Sequence, residues 1–474
     1  MIDFSISNDE YQNDLAELIR PFESRTDENI SLSVEYKNQD GVFKIRITSD
    51  KFDGFVKNYV FKIDTDCELE RKRVEKRYLK IAIYRTLSFL LNVNLPYGCL
   101  TGIRPTKLYC EIENDTDRYS KSAHDVFLND YSVSEGKVEL IEKIVSVQKP
   151  IRNKSSRQYD VFVFIPFCPT RCAYCSFVSL PIDKQRKLVE PYVDCLIREL
   201  EQTKEIIAKK HIKVRAVYVG GGTPTSIGAQ LLDKVLQHCH FGAPEFTVEA
   251  GRPDTINADI VEVMQKHGVT RVSVNPQTFN DKTLDIIGRK HKSADTYNAY
   301  MLVRDKFDVN MDLIACLPNE TIDDFKRSVD IAVALDPANV TVHTLYMKKG
   351  SALKQCGYDN TDFETASQMV DYAYRKLTSA GYEPYYMYRQ KYTSGNLENV
   401  GYAKKGKACV YNVDIMEEDT SIIANGANGI SKRWNKKKNL ITRCANYKEP
   451  IEYIKHFSEM LERQQKFWLD TKNH

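Results

Sequence analysis

The sequence lacks a long apolar run. The longest, around Ile81 to Leu95, is broken by Arg85 and Asn92. A helix that crosses a bilayer needs about 20 predominantly apolar residues, so no membrane span is expected. An excess of either charge is also missing. The 68 Lys and Arg face 65 Asp and Glu, for a net charge of +3, which leaves no bulk basic field for nucleic acid. No secretory leader is expected either, because the opening MIDFSISNDEYQNDL is acidic and polar where a leader is basic and then apolar. The chain is read as cytoplasmic. The phosphate-binding GxxxxGK[ST] and dinucleotide-binding GxGxxG patterns do not occur. Nor does a second CxxC-like pair. The other cysteines among the twelve are scattered singly, as in reduced cytosolic thiols and unlike a disulfide framework.

What the chain does have is one cluster of three cysteines. Residues 161–179 read VFVFIPFCPTRCAYCSFVS, an apolar and aromatic run that ends at Pro166 and is followed by Cys168, Cys172 and Cys175. Three thiolates in one loop can wrap an iron–sulfur cluster. A 4Fe–4S cube ordinarily takes four cysteines, so three leave one iron open, and an open position marks a metal site that does chemistry. The competing reading is a structural zinc site. That needs two cysteine pairs, or a cysteine pair with a histidine pair, and Cys195 would have to return as fourth ligand from the middle of a helical pattern.

At 474 residues the chain is expected to form two or three domains. Residues 1–150 read as an N-terminal α+β domain, with a hairpin signal at Asp40-Gly41 and helical spacing over 68–92. In GCLTGIRPTKLY, Arg104 and Lys107 sit among turn residues, either in a solvated loop or at a contact with the main domain. After a polar linker, residues 151–390 alternate strand-like runs (159–165, 214–219, 245–250, 271–274, 309–314, 340–345) with helical patterns. That rhythm predicts βα units on a parallel sheet; six of them make a partial (β/α)6 barrel. Thr321 and Asp324 resemble a capping box for the helix over 323–335. Residues 391–474 are expected as a small C-terminal domain or an extension of the sheet, ending in an amphipathic helix from Glu449 to about Leu469.

In parallel barrels the active site lies at the C-terminal strand ends, and here each predicted end is polar or glycine-rich. The cysteine loop follows the first strand and Gly220-Gly221-Gly222-Thr223 the second. Glu249 lies in the third, Asn275 and Gln277 follow the fourth, Asp312 is late in the fifth and His343 is in the sixth. The glycines let backbone approach a ligand closely. Glu249 alone would more often be an interior ion pair.

The segments IPFCPTRCAYCSF, YVGGGTPTS, FTVEAGRPDT, VSVNPQTFNDKTLDIIGRKH and NMDLIACLP resemble the radical S-adenosylmethionine (SAM) family of oxygen-independent coproporphyrinogen III oxidases and their heme-chaperone relatives. The N-terminal domain, VTVHTLYMK, YRQKYTSGNLENVGYAKKG and ANGANGISK resemble its HemZ-type branch. The resemblance implies that Cys168, Cys172 and Cys175 bind a 4Fe–4S cluster. It also implies that Phe162, Tyr174, Gly221, Gly222, Thr223, Glu249, Gln277, Arg289 and Asp312 surround SAM. Three places depart from the family pattern. Phe177 stands where the oxidases carry an extra cysteine, Phe162 replaces a tyrosine, and NLENVGY replaces the chaperones' HNxxYW.

The activity implied is oxidative decarboxylation of coproporphyrinogen III to protoporphyrinogen IX, with flavodoxin or ferredoxin as electron donor. A tetrapyrrole with four carboxylates calls for cations. Arg389 and Lys391 beside Tyr388 are the candidates, with Lys404, Lys405, Lys407, Lys432 and Arg433 behind them. The alternatives are a radical SAM enzyme acting on heme, and a heme-binding carrier using His343 or His291 as axial ligand.

Overall fold

The computed structural model describes residues 2–65, 67–115, 121–153, 155–175, 178–346, 351–355, 358, 363–390, 393–437 and 440–470. Ser176, Phe177 and Lys391 lie outside them. The chain forms two compact units, Met1–Lys143 and Ile144–His474. Among the described residues no helix is long and apolar enough to cross a membrane.

The first unit is a four-stranded sheet in the order β1-β2-β3-β4 (Ile2–Ile6, Ile30–Gln39, Val42–Ser49, Val56–Lys62) with helices α1 (Gln12–Glu23) and α2 (Glu68–Leu91). Alternation dictates the packing. Ile30, Leu32 and Val34 of β2 and Phe43, Ile45 and Ile47 of β3 are buried together with Leu15, Phe22, Leu79 and Leu87 of the helices. The Asp40-Gly41 turn has positive φ at both residues, 52° and 75°, the twist a two-residue hairpin needs. The GCLTGIRPTKLY stretch is in part helical: Pro105 opens a helix over Pro105–Asn114 directly after Arg104.

The second unit is organised by six parallel strands. These are β5 (Gln158–Ile165), β6 (Lys213–Gly221), β7 (Glu245–Val248), β8 (Arg271–Ser273), β9 (Asp308–Ala315) and β10 (Asn339–Thr344), adjacent in that order. The helices between them, α3 (Ile182–Lys210), α4 (Ala229–Gln237), α5 (Ala258–Lys266), α6 (Ser293–Val303) and α7 (Ile322–Leu335), place Leu196, Leu232, Ile260, Val303 and other apolar residues in one buried core with the strands. The capping box forms in full: the Thr321 amide donates to Asp324 Oδ2 and the Asp324 amide to Thr321 Oγ1.

The late part of the chain extends both flanks of this sheet. Strands β11 (Tyr382–Arg389) and β12 (Glu398–Lys404) add antiparallel beside β10. β13 (Ser421–Asn425) pairs parallel with β5 and leads to antiparallel β14 (Ile430–Asn435) and β15 (Leu440–Ala445). The result is one eleven-stranded sheet, β11-β12-β10-β9-β8-β7-β6-β5-β13-β14-β15. The strands β12 to β15 thus extend this sheet and lie in the same compact unit as the parallel strands. The terminal helix is interrupted at His456, giving Pro450–Lys455 and α8 (Phe457–Leu469).

The sheet curls. Ala216 of β6, Tyr385 and Tyr386 of β11 and Ala403 of β12 share one apolar cluster with Tyr411 and Val413, against which Phe162 and Tyr218 pack. Strands far apart in sheet order are thus linked through the helix that carries Tyr411 and Val413. That helix, α9 (Val410–Glu417), sets Tyr411 at 4.5 Å from Tyr218 and 6.0 Å from Phe162, ring centroid to ring centroid.

Candidate active site

The cysteine loop leaves β5 at Pro166 and is drawn together by a two-residue bridge, Phe167 to Leu180 and Cys168 to Pro181. Its middle is pinned by a segment more than a hundred residues later. The Ala173 amide donates to the Ile287 carbonyl at 2.9 Å, and the Thr170 hydroxyl to the Gly288 carbonyl at 3.1 Å. The next residue, Arg289, donates to the Tyr174 hydroxyl at 3.2 Å and to the carbonyls of Asn275 and Gly251 at 2.7 and 3.3 Å. The IIG before Arg289 is thus part of the loop's support, a role that sequence reasoning missed although it had singled out the motif around it.

Cys168, Cys172 and Cys175 line one cavity of about 270 Å³. Burial pushes the Cys168 thiol up to about 11, against a hydrogen bond from the Thr223 hydroxyl at 3.5 Å. Each of the six parallel strands delivers a residue here: Gly221 at the end of β6 with Gly222 and Thr223 after it, Glu249 after β7, Asn275 and Gln277 after β8, Asp312 from β9 and His343 from β10, together with the cysteine loop that follows β5.

The glycines have a packing reason. A Cβ on Gly220 would stand 2.6 Å from Glu249 Oε2, and one on Gly222 would stand 2.5 Å from the Phe167 carbonyl oxygen. Gly221 also has a φ of 109°, which a side chain disfavours. Glycine here lets the cysteine loop and Glu249 close onto the end of β6. Burial raises the Glu249 carboxyl to about 7, Asp312 adds to the rise, and a hydrogen bond from the Gly221 amide opposes it.

Gln277 adopts a left-handed backbone, φ 66°, held by its amide on the Asp312 carbonyl and by the Ile314 amide on its own carbonyl, both at 2.9 Å. Such a conformation costs a non-glycine residue about 1 kcal/mol or more. Its side-chain oxygen is buried without a protein partner, as are Asn275 Oδ1 and Arg289 Nε. Three orphaned polar atoms around one cavity are the mark of a ligand site, because buried polar groups are otherwise satisfied.

Two predicted residues fall elsewhere. Phe162 is among the aromatics that surround Tyr411 and does not line the cavity. Arg389 is buried and donates to the Asn396 carbonyl at 3.4 Å. Its neighbour Tyr388 does line the cavity, because successive strand residues face opposite sides. Of the remaining cations, Lys404 pairs with Asp336, Lys407 with Asp308, Lys432 with Glu418, and Arg433 donates to the Phe467 carbonyl.

Arg252 was missed. It grips Asp254 through Nε and Nη2 at 2.8 and 2.7 Å and donates to Thr170 at 2.9 Å. Burial works to raise the Asp254 carboxyl, but Arg252 holds it below its ordinary range. The signal was present in the Arg-Pro-Asp triplet. His291 is buried, has no hydrogen-bond partner on either nitrogen, and is lowered to about 4 by burial and then Arg289. Only His343 of the two axial candidates reaches the cavity.

The chain is 34% identical over 458 residues to the oxygen-independent coproporphyrinogen-III oxidase-like protein HemZ of Bacillus subtilis, a match covering 94% of this chain and 88% of that protein. The chain belongs to the HemZ-type branch of the radical SAM family. The radical SAM superfamily profile matches residues 162–332 of this HemZ-type chain. The heme chaperone HemW of B. subtilis is 32% identical over 198 residues, 40% of this chain and 51% of the chaperone. In fold, the chain is similar to coproporphyrinogen III oxidase (HemN) of Escherichia coli, with a TM-score of 0.53 and 19% identity over 67% of this chain and 73% of that one.

Radical SAM proteins use a 4Fe–4S cluster and SAM, and the residues present fit both. Three thiols share the cavity, and the buried atoms of Asn275, Gln277 and Arg289 that lack a protein partner suit a polar ligand. Cys195, required by the zinc reading, stands on α3 away from the cavity lining.

Proposed function

We propose that this protein is a cytoplasmic coproporphyrinogen III dehydrogenase that converts two propionate side chains to vinyl groups without oxygen, giving protoporphyrinogen IX. The reading is carried by one cavity lined by three thiols, a polar donor set, further hydrogen-bonding side chains and apolar surface. The likeness to HemZ along nearly the whole chain supports it.

Cys168, Cys172 and Cys175 would hold the cluster. Glu249 would meet the SAM ammonium, Asp312 its ribose, and Gln277, Asn275 and Arg289 would complete its polar contacts, with Tyr174 and Gly221-Gly222-Thr223 shaping the wall. Bound there, cluster and cofactor supply a one-electron cleavage of SAM to methionine and a 5′-deoxyadenosyl radical. The chain's own contribution is position and exclusion of water. Ile314 and Leu345 give the cavity apolar wall. For each propionate, one hydrogen passes to deoxyadenosine and one carbon dioxide leaves. One electron enters from flavodoxin or ferredoxin and one departs to an acceptor.

The test is an anaerobic assay of reconstituted protein with SAM, a low-potential reductant and coproporphyrinogen III, read by mass spectrometry. Two successive losses of formic acid mass, each matched by one deoxyadenosine, are expected. Deoxyadenosine with unchanged substrate would transfer the activity to heme or another tetrapyrrole. A second reading, a heme carrier, is favoured by the HemW likeness and by His343 on the cavity wall. Tight heme binding with no deoxyadenosine would establish it.

A further inference from the structure

The arginines of the cavity are already engaged. Arg252 is committed to Asp254 and Thr170, and Arg289 to Tyr174 and two carbonyls. Asn399, also on the cavity lining, is engaged as well: its side-chain oxygen accepts from the Thr344 amide at 2.8 Å and its amide donates to the Tyr388 carbonyl at 3.4 Å.

His343 and Tyr388 are arranged differently. His343 Nδ1 lies 3.1 Å from the Tyr388 hydroxyl, and Nε2 lies 3.8 Å from Asp312 Oδ2. A ring nitrogen that carries a proton donates, and with the proton on Nδ1 His343 gives its N–H to the Tyr388 oxygen. The Tyr388 O–H is then left to donate into the cavity. Burial, with Asp312 adding to it, pushes this phenol well above its ordinary range, so it stays a donor at any working pH.

We propose that Tyr388, oriented by His343, docks a carboxylate of the tetrapyrrole and so selects free propionates over esterified ones. A neutral donor suits this position, because Glu249 and Asp312 already place two acids in the same cavity. Ile314, Leu345 and the Tyr346 ring supply surface for the macrocycle beside it. This inference rests on the tetrapyrrole reading above.

The test titrates the full chain with coproporphyrin III, the stable fluorescent relative of the substrate, and with its tetramethyl ester. Wild type is expected to prefer the free acid. Tyr388→Phe should weaken free-acid binding by about 10- to 100-fold, the value of a hydrogen bond to a charged group, and leave ester binding unchanged. In turnover, deoxyadenosine formed per vinyl should rise above one as the propionate loses its anchor. Should Tyr388→Phe fail to fold, His343→Gln carries the same test through loss of the acid-over-ester preference. A Tyr388→Phe or His343→Gln protein that folds and keeps wild-type affinity and preference would overturn the subsite while wild-type turnover leaves the proposed reaction standing. Wild type that neither binds coproporphyrin III nor converts coproporphyrinogen would overturn both.

Discussion

The cavity residues set at the ends of the earlier parallel strands and those on β10 and the later antiparallel strands are built by different means. The first comes from the ends of consecutive parallel strands and keeps unsatisfied polar atoms on Asn275, Gln277 and Arg289. The second comes from β10 and from antiparallel strands added late in the chain, and its polar groups are bonded to one another, as in His343 with Tyr388 and Asn399 with Thr344. Under the proposed function, the first set is left incomplete for a cofactor of fixed structure, and the second is pre-organised for the substrate.

If the two sides are separable, removing a thiol should destroy one and spare the other. Cys168→Ala is expected to lose iron and sulfide and to reduce deoxyadenosine formation to background while coproporphyrin III binding persists. Loss of porphyrin binding as well would show that the cluster organises the whole cavity. Gly222→Ala tests the same division through the backbone. Its new Cβ would stand 2.5 Å from the Phe167 carbonyl, so the cysteine loop must shift. We expect about 1–3 kcal/mol of lost stability by thermal unfolding. SAM cleavage should fall by about 100-fold, the scale of a 1 Å misplacement.

A smaller effect sharpens the electrostatic contrast. With its carboxyl raised to about 7, Glu249 is protonated below that pH and loses its attraction for an ammonium. SAM affinity should therefore weaken as pH falls, by up to about tenfold per unit below 7. It should level off above 7, whereas Glu249→Gln should give a flat and weak profile. Equilibrium dialysis at pH 6, 7 and 8 decides it. The same profile in the Gln variant would move the titration to another group.

The cysteine side was legible in sequence because one rule places it: parallel strands carry their chemistry at the C-terminal end, so Glu249, Gln277 and Asp312 could be read off the strand register. Support across sequence distance was not legible. The contact of Ala173 with Ile287 and the filling of the barrel by Tyr411 join residues more than a hundred positions apart, and no local periodicity encodes them. Tyr411 explains Phe162: that ring is absorbed into an aromatic cluster with Tyr411 and Tyr218. On the opposite side, a register shift between Pro384 and Tyr386 lets the adjacent Tyr385 and Tyr386 join one cluster. Such a bulge re-aims side chains and leaves no clear mark in sequence.

Beyond that bulge the strand period returns, and it separates Tyr388 from Arg389. Sequence chemistry favours the arginine, since a tetracarboxylate calls for a cation, yet side chains alternate along this strand and Tyr388, not Arg389, lines the cavity. Arg389 is buried outside the lining, with a hydrogen bond to the Asn396 carbonyl. Arg389→Ala is therefore expected to lower the unfolding midpoint, by the loss of about 1.5–3 kcal/mol for a charged hydrogen bond, and to leave coproporphyrin III affinity at the wild-type value. A variant with wild-type stability and weakened porphyrin binding would return the carboxylate contact to Arg389. It would also erase the distinction between the two sets, because an arginine would then take the place proposed for the Tyr388 hydroxyl.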